Sequence, residues 1–225
     1  VLWWALTTGA LGAVPLPPPV ETGYLLGKGL PLGAPPVPLT DELYVLGWSA
    51  QGSLALLQRE TGVTGPPVVR LRVLDTVEDT VLWEKVWPDW GSADNRDAWW
   101  TARGPEVEAV FHQFTLQSTD WQLGQFPLIQ DNDFYSLALR LRWTSDPAWI
   151  DRWDLVVHSS DRGLKVVAHG EGVWRWATFV GFVPSPWDDR VAAILLVQPE
   201  GWAGSRQPLR FVVVGVSLKY GFPKP

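Results

Sequence analysis

Residues 44–60 read YVLGWSAQGSLALLQRE and, after a Gly/Pro loop, residues 68–76 read VVRLRVLDT. In the second segment Val69, Leu71 and Val73 alternate with Arg70 and Arg72. This is the two-residue period of a strand with one apolar and one wet face. Leu43–Trp48 and Ser53–Glu60 read as two more strands joined by the polar turn Ser49-Ala50-Gln51-Gly52. Thr80–Trp87 is a fourth, beyond the turn at Glu78-Asp79. Short strands on tight turns make an antiparallel meander. A slip of one residue would push both arginines into the core, so the register is firmly set.

The same order of features returns near the C-terminus. Residues 179–200 read FVGFVPSPWDDRVAAILLVQPE and, after a Gly/Ser loop, residues 209–218 read LRFVVVGVSL. Each copy has an aromatic after a glycine (Gly47-Trp48, Gly181-Phe182), then a serine (Ser49, Ser185) and a polar turn. Each resumes with an apolar strand carrying alanine (Leu54-Ala55, Val191-Ala192). The first copy resembles one blade of the WD40-like β-propeller repeats of secreted bacterial proteins. Those blades usually carry Ser-Pro-Asp-Gly where this chain has Ser49-Ala50-Gln51-Gly52. The second copy, Ser185-Pro186-Trp187-Asp188-Asp189, restores the proline and an acid and loses the glycine. A closed propeller needs at least four blades, and only two such units are present. The whole chain is similar to exported bacterial β-rich proteins, a resemblance that implies no activity.

The 225 residues are 46% hydrophobic and 19% charged, which fits a packed globule. A net charge of −6 without a Lys/Arg cluster argues against nucleic acid and against anionic membranes as partners. Cysteine is absent, so there is neither a disulfide framework nor a thiolate metal site. Tryptophan is the outlier, with 16 copies. Each indole brings a large apolar area, roughly 150–250 Å², and serves either as core or as a stacking platform for a sugar or peptide.

Residues 1–13 end an uncharged apolar run in small residues, like the end of a secretory signal whose basic start is missing, and are too short to span a bilayer. They predict a periplasmic or secreted protein without a stable membrane span. Residues 14–42 are rich in proline and glycine and read as an arm or linker. Residues 43–225 form the β-rich domain, in two sub-blocks (43–90 and 128–222) joined by a helical segment over 93–117. Within that segment Val107, Val110, Phe111 and Phe114 make one apolar stripe, with Pro105 expected in the first turn. The second block alternates over Tyr135–Trp143, forms a hairpin from Trp153–Ser159 and Leu164–His169, and continues through Val173–Val183, Arg190–Gln198 and Leu209–Leu218. The last two are nearly continuous apolar runs, which predicts burial on both faces.

No catalytic motif stands out. Ser49 lacks the spacing of a nucleophile elbow, and Gly27-Lys28-Gly29 lacks a phosphate-loop context. His158 and His169 could share a face, but no third ligand has diagnostic spacing. Asp131-Asn132-Asp133 reads as a turn before a strand. No cofactor or metal is expected. The constellations of interest are Trp87-Pro88-Asp89-Trp90 and Trp187-Asp188-Asp189, each placing indole beside carboxylate. Sugar recognition uses that pairing, and peptide grooves use aromatics similarly; the alternative is that these rings plug the end of a sheet.

The sequence therefore predicts a mainly β fold of two related antiparallel meanders, sandwich-like or as two blade-like sheets, with one intervening helix. The expected function is a non-catalytic exported module binding a partner protein or an envelope glycan. A hydrolase using carboxylates such as Asp188 or Asp189 on glycans is the second expectation, and a structural envelope protein the third.

Overall fold

The computed structural model describes residues 14, 16–20, 41–61, 65–118, 121–146, 149–199 and 209–223. Residues 1–13 and most of the Pro/Gly-rich arm lie outside them. The first meander is β1 (Glu42–Trp48), β2 (Ser53–Glu60), β3 (Val68–Asp75) and β4 (Thr80–Pro88), followed by helix α1 (Arg96–Gln113) and the short β5 (Gln117–Ser118). The second block is β6 (Leu128–Gln130), β7 (Asp133–Trp143), β8 (Ile150–Ser159), β9 (Gly163–Pro184), β10 (Arg190–Pro199) and β11 (Arg210–Ser217). These form one antiparallel sheet in the order β4-β3-β2-β1-β5 and another in the order β11-β10-β9-β8-β7-β6. Among the described residues no helix is long and apolar enough to cross a membrane.

The sheets pack face to face, the sandwich of the two expected arrangements. Leu43, Val45, Trp48, Leu54 and Leu56 of the first meet Val180, Val183, Ala192, Ile194, Leu196 and Phe211 of the second in one core. The opposite face of the first sheet, Tyr44, Leu46, Ala55, Leu57, Val69, Leu71 and Val73, is covered by Trp100, Val107, Val110 and Phe111 of α1. Both faces of β1 and β2 are thereby buried, which is why their sequences lack a clean alternation. The helix begins well before Pro105, which stands inside it rather than in its first turn. The buried stripe starts at Trp100 and Gly104, and the proline is tolerated at the cost of one backbone hydrogen bond because the flanking turns are packed.

Leu164–His169 and Val173–Val183, expected as separate strands, are one 22-residue strand. β9 pairs with β8 from Gly163 to Trp174 and with β10 from Trp174 to Pro184. It therefore serves two ladders in succession and turns a corner between them. Gly170-Glu171-Gly172 marks the corner: a Cβ on Gly170 would lie 2.3 Å from the Trp153 indole, and Gly172 has φ +135°. The corner folds β6–β8 back over β10 and β11. Trp153, Leu155 and Val157 then share a third core with Val191, Ala193, Leu195, Val197, Val214 and Val216. As the apolar runs implied, β10 is buried on both faces, its even residues in one core and its odd residues in the next.

The two meanders share a local device. The β1–β2 ladder steps from Val45 to Gly47, and the β9–β10 ladder from Phe179 to Gly181, so each bulge immediately precedes its glycine. A Cβ on Gly47 would come within 2.4 Å of the Gln117 carbonyl oxygen, and one on Gly181 within 2.6 Å of Leu123. Gln117 and Ser118 pair with Trp48 and Gly47, and Gly124 bridges to Phe182. The chain after α1 thus lies against the same Gly-aromatic step in both sheets.

Candidate functional site

The first sheet is wider than the layer laid on it. β9, β10 and β11 cover β1 and β2, reach β3 only at its end, where Leu74 packs on the shared core, and stop short of β4. The wet face of β3 therefore lies beyond the shared core, on the inner side of the sandwich, and floors a groove. There Glu60, Arg70, Glu84 and Arg72 close into a ring of ion pairs. Arg70 donates to both Glu60 oxygens (3.0 and 3.1 Å) and to Glu84 (2.6 Å); Arg72 donates to Glu84 (2.7 Å) and Glu60 (3.3 Å). The Arg72 guanidinium holds the Glu84 carboxyl below its ordinary range. Half-exposed pairs of this kind contribute little stability, about 0–1 kcal/mol each, so the ring mainly fixes side-chain positions.

Opposite that floor runs the outer edge of β11. The Gly215 N–H donates to the Asp79 carboxylate (2.6 Å) on the side away from β10. In an antiparallel ladder outward and inward backbone groups alternate. With Gly215 opposite Ala192, Val213 opposite Ile194 and Phe211 opposite Leu196, the N–H and C=O of Val213 and Phe211 also point outward. No backbone partner meets them among the described residues. Beside Phe211, Val212 and Val213 the groove holds about 250 Å³, also lined by Arg70, Arg72, Asp79 and Val81. Toward Arg210 it widens into a cavity of about 680 Å³ lined by Gln58, Thr61, Val68, Trp174, Pro199 and Arg210 among others. Asp41 sits in the wall of this cavity. Burial pushes its carboxyl up to about 6, against the pull of the Thr61 N–H that it accepts at 2.7 Å.

The two indole–carboxylate constellations occupy other places. Trp87 and Trp90 are buried under α1, edge-to-face with Trp99 at 5.7 and 5.4 Å. Asp89 takes a bidentate pair from Arg59 (2.8 and 3.0 Å). Burial would raise the Asp89 carboxyl, and Arg59 outweighs it and lowers it. This group locks the end of β4 to β2 and the helix, with no indole face free for a ligand. Trp187 is 45% exposed on the β9–β10 turn. Asp188 pairs with Arg190 (3.2 Å), and Asp189 with Lys219 (2.9 Å) and the Gln130 amide. Neither acid lines the groove, and each already has a cation.

His158 stands opposite Leu164 and His169 opposite Asp154, so the two histidines are not cross-strand partners. Among the described residues no three His, Cys, Asp or Glu side chains are grouped to hold a metal. Asp131 and Asn132 both have positive φ and form the tight β6–β7 turn. Asp133 behind it is buried, and accepts from the Ser159 hydroxyl (2.6 Å), the Ser160 hydroxyl (2.8 Å) and the Asp161 N–H (3.3 Å). Burial alone would raise its carboxyl; these donors bring it down to about 2.

The groove was only half visible in the sequence. Arg70 and Arg72 are recognisable as a wet stripe, and the hairpin register predicts Glu84 opposite Arg72. The contribution of β11 gives no sequence signal, because its side chains are apolar and what it offers is backbone. No protein-family model matches the chain, and no curated protein or solved structure is significantly similar to it.

Proposed function

We propose that this chain is a binding module that takes an extended segment of a partner polypeptide along the edge of β11 that is unpaired among the described residues, over the floor formed by Arg70 and Arg72. The observation that carries the reading is the outward pair of N–H and C=O groups at Phe211 and Val213, opening onto a groove. A strand added there satisfies both pairs, and main-chain bonds supply affinity while the groove reads alternate side chains. A glycan brings no strand backbone and leaves these groups unused. The module acts by binding rather than chemistry, and the apolar run of residues 1–13 motivates a periplasmic or secreted setting, which sequencing the N-terminus of the native protein tests.

Neighbouring prolines on β11 test the binding mode. Val213→Pro removes an outward N–H and leaves the β10 ladder intact, whereas Val212→Pro removes a ladder bond. Panning an extended-peptide library should yield peptides that bind the parent chain and fail on Val213→Pro while its circular dichroism stays native. Peptides that bind Val213→Pro as well as the parent, or a library that yields none, would overturn the proposal.

A further inference from the structure

Resting on that reading, we infer that the segment bound is the C-terminal tail of its polypeptide, with the free α-carboxylate seated at Arg210 beside Trp174. Three observations converge on this.

The first is direction. Antiparallel pairing is the more stable kind per residue. β11 runs from Arg210 to Ser217, so an antiparallel partner runs from Val213 toward Arg210. At its upstream end the partner must climb out of the groove. The turn Thr76–Asp79 crosses β11 there, and a Cβ on Gly215 would already stand 2.0 Å from the Thr76 carbonyl oxygen. At its downstream end it runs into the cavity of about 680 Å³. The geometry suits a chain that enters beside Val213, short of the Thr76–Asp79 turn, and stops in the cavity.

The second is charge. The floor ring is internally neutral, two arginines against two glutamates. Of the other charged groups in the cavity, Asp41 is 3% exposed, held by Thr61 and attracted through space by Arg210, while Arg210 is exposed and has no carboxylate in contact among the described residues. The reachable charge left over is therefore a guanidinium, whose planar fork of donors matches a carboxylate.

The third is shape. The Trp174 ring lines the cavity along with Arg210. Its indole N–H is buried, lies 3.7 Å from the Cβ position of Gly172 and has no acceptor among the described residues. The ring therefore offers the last residue an apolar wall, and the donors for the carboxylate come from Arg210.

The test uses one library of random octapeptides made twice, as free acids and as C-terminal carboxamides, on the whole chain. Free acids should bind at least about tenfold tighter than their amides, a ratio expected for loss of one charge-assisted contact. Arg210→Ala should abolish the ratio by weakening the acids alone, and Trp174→Ala should weaken acids and amides alike. Val213→Pro should weaken both forms. Acids and amides that bind equally, and both fail on Val213→Pro, overturn the terminal carboxylate and leave edge binding standing. A ratio that survives Arg210→Ala overturns the assignment of the seat. Two silent libraries overturn edge binding and this inference together.

Discussion

Gly215→Ala tests how the two sheets are joined at the groove. The new methyl would stand 2.0 Å from the Thr76 carbonyl oxygen and 2.6 Å from the Thr76 carbonyl carbon and Cα. These are backbone atoms, so no rotamer change relieves the contact. Thr76 is itself fixed, its N–H and hydroxyl both donating to the Gly52 carbonyl at 3.1 and 2.7 Å. The turn must therefore shift, at about 1–3 kcal/mol for overpacking. The shift also breaks the bond from the Gly215 N–H to Asp79, worth about 1 kcal/mol. The lower chain entropy of alanine returns less than about 1 kcal/mol. We expect a net loss of about 1–4 kcal/mol, out of a stability of about 5–15 kcal/mol. At roughly 2–4 °C per kcal/mol for a chain of this size, the thermal midpoint falls by roughly 2–16 °C. Urea unfolding followed by tryptophan fluorescence measures the loss directly. Asp79→Ala alone should cost about 1 kcal/mol, and the double variant less than the sum, because both changes free the same turn. A Gly215→Ala protein within about 0.5 kcal/mol of the parent would refute the close crossing of Thr76 over β11.

Three further outcomes follow from buried charge. Asp133→Ala removes the acceptor of two hydroxyls and an N–H and should cost about 2–4 kcal/mol, measured by urea unfolding. Because its carboxyl stands at about 2 when folded, below the ordinary 3.8, its contribution is complete above pH 4 and is lost as the pH falls toward 2. The acid limb of the parent's stability curve should therefore be steeper than that of the variant. Asp41 has the opposite sign: its folded value of about 6 exceeds 3.8, so its contribution is greatest below pH 4 and disappears as the pH rises through 6. Asp41→Asn should flatten stability between pH 4 and 7, and an unchanged slope would contradict the burial of this acid. Asp89→Ala takes the bidentate partner from the Arg59 guanidinium over Trp90, leaving it the longer Glu42 pair at 3.6 Å, and should cost about 1–3 kcal/mol, with loss of the near-ultraviolet dichroism of the Trp87–Trp90–Trp99 cluster.

Local pattern carried the strands well. β2 and β3 lie where period and turn residues put them, because one-sided alternation and short polar turns leave few alternatives. β10 was legible for a different reason: a short apolar run bounded by turn residues and rich in branched side chains reads as a strand covered on both faces. The corner in β9 was not legible. Gly170 and Gly172 punctuate a sequence in the same way whether the chain turns back or merely bends, and only the Trp153 ring lying across Gly170 distinguishes the two. The extent of α1 was blurred by Pro105, whose local preference for a first turn is overridden by the packing of Trp100 and Gly104. The indole–carboxylate pairs show the limit of composition. Trp87-Pro88-Asp89-Trp90 has the chemistry of a sugar platform, yet Arg59 and α1 consume it, and no local signal reports a partner thirty residues away. For the groove, the sequence shows the arginine floor but not the backbone edge, since every strand carries the same peptide groups and only sheet order decides which are left over.

Residue-resolved amide hydrogen exchange on β11 tests the central claim most directly. In the free protein the Phe211 and Val213 amides should exchange quickly, while Val212 and Val214 in the β10 ladder are protected. Adding a library-selected peptide should slow Phe211 and Val213 and leave the other two as they were. Phe211 and Val213 already protected in the free chain, or unaffected by a peptide that binds, would contradict strand addition at this edge.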